Sequence, residues 1–158
     1  MIQTAHALAR SLAEAIAASA TVAGVVTDLF PGRSLRVFLD GLGSRDWETV
    51  ENFDLFPCLV VSPSSEERDR ADRTVAIPAV LSIRVDGDVT KPVQTSAGVY
   101  ELPGCDALDR LADSIRGCAS TAEIGSVYSA CDIDWDYGSE WPVQSALLTF
   151  HFGDTAAY

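Results

Sequence analysis

Positive charge is scarce in this chain. It holds one lysine, Lys91, and 11 Lys and Arg in all against 23 Asp and Glu, for a formal net charge of −12. The deficit is uneven: residues 1–57 carry −3, residues 58–100 carry −1 and residues 101–158 carry −8. Binding of a phosphate backbone depends on clustered Lys and Arg that displace counterions, so the composition argues against nucleic-acid recognition. Anionic membrane surfaces are disfavoured for the same reason. A P-loop is excluded because Lys91 has no such motif around it. The expected partners are proteins.

Histidine and cysteine are few as well, at two and four. The four cysteines, Cys58, Cys105, Cys118 and Cys131, stand no closer than 13 residues apart, so the paired spacing of a zinc site is missing. They read as small buried hydrophobes in a reducing compartment. The two histidines, His6 and His151, lie near opposite ends of the chain. Neither belongs to a local motif, although each could meet a distant carboxylate or thiol in space. His151 alternates with Phe150 and Phe152 and is expected to point outward. No serine sits in a nucleophile elbow. Gly41-Leu42-Gly43 lacks the third glycine and the following apolar helix of a dinucleotide fingerprint. Asp132-x-Asp134-x-Asp136 resembles the opening of an EF-hand loop, but Tyr137 and Val143 stand where glycine and glutamate are required. That run reads instead as the solvent face of a strand. No catalytic, cofactor-binding or metal-binding set is assigned, and the chain is not read as an enzyme.

Long apolar runs are missing too. The Ala-rich segment 5–26 is interrupted by His6, Arg10 and Glu14, and no Lys or Arg precedes it as in a signal peptide. It is too polar to span a membrane and reads as a helix of a soluble protein made in a cytoplasm.

What is present is enough apolar material for one folded domain over residues 1–158: 47% hydrophobic against 22% charged residues. Ile2, Ala5, Leu8, Ala9, Leu12, Ile16 and Ala20 recur at helical spacing. Val22–Val26 either extends that helix or begins a strand. Period-2 alternation predicts strands over 34–40, 55–62 and 74–86, with Pro78 requiring an edge or a bulge. Between the last two, Pro63–Arg73 holds no large apolar residue and is expected to be unburied, as a loop or the tip of a hairpin. Residues 86–99 read as another loop. Pro103-Gly104 opens a second helix striped by Cys105, Leu108, Leu111, Ala112, Ile115 and Ala119, with Asp106 and Asp109 near its start and Arg116 near its end. Strands follow over 126–137 and 143–152. Trp135 reads as core, and Trp141 as either core or interface. The order α, β, β, β, α, β, β implies an α+β fold, a mainly antiparallel sheet of four to five strands with both helices on one face.

This pattern resembles the tail terminator (tail completion) proteins of long-tailed bacteriophages. The likeness is carried by the Ala-rich opening helix, by Phe56-Pro57-Cys58-Leu59-Val60-Val61, and by a charged excursion returning into Val75–Val85. It continues through the helix Leu108–Ile115 and the closing segment Asp132-Ile133-Asp134-Trp135-Asp136-Tyr137, Glu140-Trp141-Pro142 and Ala146-Leu147-Leu148-Thr149-Phe150. The resemblance implies a homohexameric ring in the tail or neck of a virion, assembled in the host bacterial cytoplasm. Such a ring caps the tail tube, ends its growth and offers a surface for head–tail joining. The implied partners are further copies of the chain, the tail-tube protein and a neck or connector protein, with DNA passing through unbound. Candidate protein contacts are Glu66, Glu67, Arg68, Asp69, Arg70, Asp72 and Arg73 of the excursion, together with Trp141. Mixed charge suits register-setting between subunits, while a merely solvated loop is the alternative. A neck or head–tail connector subunit and a small acidic enzyme or ligand-binding domain are the competing readings.

Overall fold

The computed structural model describes residues 3–41, 55–63, 65–69, 72–85, 91–140 and 143–155. The N-terminal apolar stripe forms two helices, α1 (Ala5–Ala18) and α2 (Ala20–Leu29), bent 58° from each other. Ser19 makes the break. Its backbone N–H donates to the Ile16 carbonyl, ending α1, and its hydroxyl oxygen accepts from the Val22 N–H at 3.2 Å, starting α2. Serine competes with the helix interior and is a favoured N-cap. Val22–Val26 is therefore helix, with Val22 and Val26 buried. The third helix, α3 (Cys105–Thr121), buries Leu108, Leu111, Ala112, Ile115 and Ala119, the stripe read from the sequence. Arg116 lies within α3 rather than in its last turn, because the helix continues to Thr121, and it pairs with Asp113. Gly104 precedes α3 at φ 85°, and a Cβ there would meet Val85 Cγ2 at 2.4 Å, so both backbone and space require glycine.

Six strands form the main sheet among the described residues: β1 (Arg36–Leu39), β2 (Cys58–Val61), β3 (Ser65–Asp69), β4 (Asp72–Arg84), β7 (Val127–Glu140) and β8 (Val143–Thr155). Their order is β1-β2-β4-β8-β7, and β3 pairs with β4 beyond the end of β2. β1 and β2 are parallel; the other pairs are antiparallel. The sheet exceeds the expected four to five strands because the charged excursion makes a strand of its own. Residues read as loop also contain a small separate hairpin, β5 (Val93–Gln94) and β6 (Tyr100–Glu101).

Pro78 lies in the middle of this sheet. Its carbonyl accepts from the Ser62 N–H at 3.1 Å, on the side where β2 ends and β3 has yet to begin. In an antiparallel strand a residue's N–H and C=O face the same neighbour. The missing donor therefore faces Ser62 just past the end of β2, and only the reciprocal bond of that terminal pair is lost.

Alternation sends Val75, Ile77, Ala79, Leu81 and Ile83 of β4 and Ala146, Leu148, Phe150 and Phe152 of β8 to one face, each at most 2% exposed. All three helices contribute buried residues to that core. At the β7–β8 end the register shifts between Asp136 and Glu140. The buried Gln144 holds the irregular backbone there, its amide donating to the Tyr137 carbonyl at 2.9 Å.

Two readings of burial are corrected. Trp135 shares the helix-side face with Ala146 but is 42% exposed, because β7 is the sheet's edge and cover there is partial. Of the cysteines only Cys58 is fully buried; Cys105, Cys118 and Cys131 are half-buried, and all four are free. The core assignment is tested by Phe150→Ala, expected to cost about 3–5 kcal/mol in urea unfolding. Val127→Ser, at a position 71% exposed, is expected to change stability by less than about 0.5 kcal/mol. Similar losses for the two would contradict the assignment.

Candidate functional site

The charged excursion is a hairpin. β3 runs antiparallel to the start of β4, with Glu66 opposite Val75, Glu67 opposite Thr74, Arg68 opposite Arg73 and Asp69 opposite Asp72. All five residues of β3 are exposed, as is Asp72. Of the expected contact residues, Arg70 and Trp141 lie outside the described residues. Arg73 departs from expectation: it is 1% exposed in a stretch read as unburied. It shares the helix-side face of β4 with Val75 and Ile77, and β8 backs it from the other side. Its Nε donates to Glu66 Oε1 at 2.9 Å, and the same oxygen accepts from Arg68 Nε at 2.8 Å. The Arg68 hydrogen bond, with the charges of both arginines, holds the Glu66 carboxyl below the ordinary carboxylate range against the opposing desolvation. Glu66 and Arg73 thus bind the hairpin to itself. Glu67, Asp69 and Asp72 are left facing outward.

The fold brings each histidine to a carboxylate. His6 Nε2 of α1 lies 2.7 Å from Asp40 Oδ2 at the end of β1, and His151 Nε2 of β8 lies 2.9 Å from Asp132 Oδ2 of β7. The outward direction expected for His151 holds, and its carboxylate comes from the neighbouring strand. A His–Asp pair supports catalysis when a nucleophile meets the other ring nitrogen. Among the described residues no hydroxyl or thiol bonds either imidazole; Ser129 Oγ donates to the His151 backbone carbonyl at 3.0 Å. Both pairs stand on open surface, and neither histidine lines the cavity of about 230 Å³ bounded by Phe30, Arg33, Phe56 and Arg84 or that of about 180 Å³ over Cys58, Val60 and Val80. Burial pushes the Cys58 and Cys131 thiols up to about 11, so both are protonated at neutral pH and weakly nucleophilic.

Asp132, Asp134 and Asp136 are exposed on the face of β7 away from the helices, opposite Thr149, Leu147 and Ser145. Alternate residues of a strand stand about 7 Å apart in a line, so these carboxylates form a ladder along an edge rather than a loop around an ion. Sequence reasoning missed the β5–β6 hairpin, which shows Val93, Val99 and Tyr100 to solvent at 56%, 61% and 66%. Glycine and proline nearby signalled a turn, and two-residue strands are too short to leave a period.

Glu66→Gln is expected to lower the melting temperature and speed amide hydrogen exchange in β3. Because the folded carboxyl titrates below its ordinary value, its stabilisation is present at neutral pH and lost as the pH falls through the lowered value. Wild-type protein should therefore lose more stability on acidification than Glu66→Gln. Equal losses would count against the pairing.

Compared with known proteins, the chain matches no protein-family model and no curated protein.

Proposed function

We propose that this protein is a tail terminator of a long-tailed bacteriophage: a structural subunit that forms a hexameric ring on the tail tube, ends tube growth and presents a surface for head–tail joining. The observation that carries the reading is the β5–β6 hairpin with its exposed Val93, Val99 and Tyr100. A two-stranded hairpin is marginal in water without packing, and this one exposes apolar side chains on both faces, Val93 and Val99 on one and Tyr100 on the other, which a protein partner would cover. The outward carboxylates of the β3–β4 hairpin supply a second arm, of opposite character. The phage assignment itself rests on the sequence resemblance: the opening helix, the charged hairpin between two central strands, and the closing aromatic, acidic and apolar strands. Acidity fits the role. Six copies of a −12 chain carry −72, and like-charge repulsion keeps DNA moving through a ring rather than bound to it.

Purified protein is expected to give the mass of six 16.9-kDa chains, about 101 kDa, to appear as rings in negative stain, and to retain tail-tube protein rather than portal or adaptor. A persistent monomer that binds no tube would overturn the reading. Tyr100→Ala is expected to weaken self-association by about tenfold or more, or about 1.4 kcal/mol, with the melting temperature unchanged. Unaltered assembly would remove the hairpin from the interface.

A further inference from the structure

Among the described residues three strands of the main sheet have a partner on one side only: β1 and β7 at its two ends, and the short charged β3 beside β4. Resting on the ring reading, we propose that β7 of one copy pairs antiparallel with β1 of the next, so that one sheet runs from subunit to subunit.

Strand direction allows it. β1 runs with β2, and β2, β4, β8 and β7 alternate in direction. Two copies set side by side in the same orientation bring β7 against β1 in antiparallel sense. The backbone of β1 is ready for a partner. The N–H groups of Arg36 and Asp40 donate toward β2, to Pro57 O at 3.1 Å and Val61 O at 2.8 Å. Alternation then aims the N–H and C=O of Val37 and Leu39 at the open side.

The side chains match across the same junction. One row of directly opposed residues crosses the sheet from Arg36 through Cys58, Ser82 and Ser145 to Asp136. Its basic end lies on β1 and its acidic end on β7, both on the face away from the helices. Arg36 and Asp134 are exposed and make no ion pair among the described residues. The next row runs from Val37 through Leu59, Leu81 and Ala146 to Trp135, on the helix side. A neighbour's β1 would set Val37 beside Trp135, whose 42% exposure would then be covered. A two-residue shift toward Asp134 would set Arg36 against Asp134 and Val37 against Ile133, so the partners change but an acidic and an apolar residue still meet them, each on its own face.

Pairing of like edges is disfavoured. Two β7 strands about a twofold axis would oppose their aspartate ladders, and such a contact would stop at a dimer. A β7–β1 contact uses two different surfaces, so it propagates and closes into a ring where the rotation permits.

The test mixes Arg36→Cys protein with Asp134→Cys protein and adds a bis-maleimide long enough to bridge a two-residue shift, about 7 Å. Wild-type protein gives the background from the native thiols. The mixed dimer is expected to exceed either homodimer at least tenfold. Homodimers in equal yield, or no cross-link above background, would overturn the pairing. Six-membered rings without the mixed dimer would overturn it too while leaving the terminator reading intact. A mixed dimer in assemblies of another number would uphold it and remove that reading. As a check independent of thiols, Arg36→Asp and Asp134→Arg should each weaken assembly about tenfold and restore it when combined in one chain; failure of the combination would count against the pairing.

Discussion

The pairing of β4 with β8 governs this molecule. Each strand has 13 residues, and the ladder runs without a slip from Asp72 opposite Thr155 to Arg84 opposite Val143. Because side chains alternate, that single register places every odd residue of β4 from Val75 to Ile83 and every even residue of β8 from Ala146 to Phe152 under the helices. A slip of one residue would leave one set under the helices and turn the other to the opposite face. Burying a large apolar side chain contributes about 1.5–3 kcal/mol, so exposing even the β8 set, Leu148, Phe150 and Phe152, makes the slip prohibitive. Ser82 and Ser145, opposed on the other face, share a hydrogen bond at 3.1 Å and pin the same register from behind.

From that ladder the functional surfaces follow. The part of β4 beyond β2 receives β3, which brings Glu66 to the buried Arg73 and leaves Glu67, Asp69 and Asp72 outward. β8 carries β7 on its far side, and their register sets Asp132 beside His151 and lines the aspartates along an edge. The helices cover the middle of one face, so cover thins at the periphery, where Trp135 sits. The two imidazoles stand on open surface, and burial keeps the Cys58 and Cys131 thiols protonated at neutral pH. Among the described residues, the groups left without cover are strand edges, a charged hairpin and an apolar hairpin. Such edges and arms are where the proposed contacts with other copies would form.

How far the sequence disclosed this depends on the range of the interaction concerned. The stripe of α3 was legible because Leu108, Leu111, Ala112, Ile115 and Ala119 meet one another across adjacent helical turns. The alternation of Val75 to Ile83 was legible for the same local reason. The break at Ser19 was not, since apolar spacing continues through it and only the hydroxyl's capping bond to Val22 interrupts the helix. Alternation also told which face Trp135 occupies, but not that the strand lies at an edge. Arg73 was misjudged because its burial depends on β8, some 80 residues away in sequence, and its compensation on Glu66 across a turn. The His151–Asp132 and His6–Asp40 pairs required strand register and helix docking that no local pattern encodes. The parallel pairing of β1 with β2 likewise had no sequence signal.

The central claim is that this sheet is incomplete in one chain and is completed by others. Amide hydrogen exchange measured across a dilution series reads that directly. Protection of the Val37 and Leu39 amides of β1 and of outward amides along β7 should rise together with concentration, while α3 and the β4–β8 ladder stay unchanged. Edge amides that exchange at one rate at every concentration, in a protein otherwise folded, would contradict the claim.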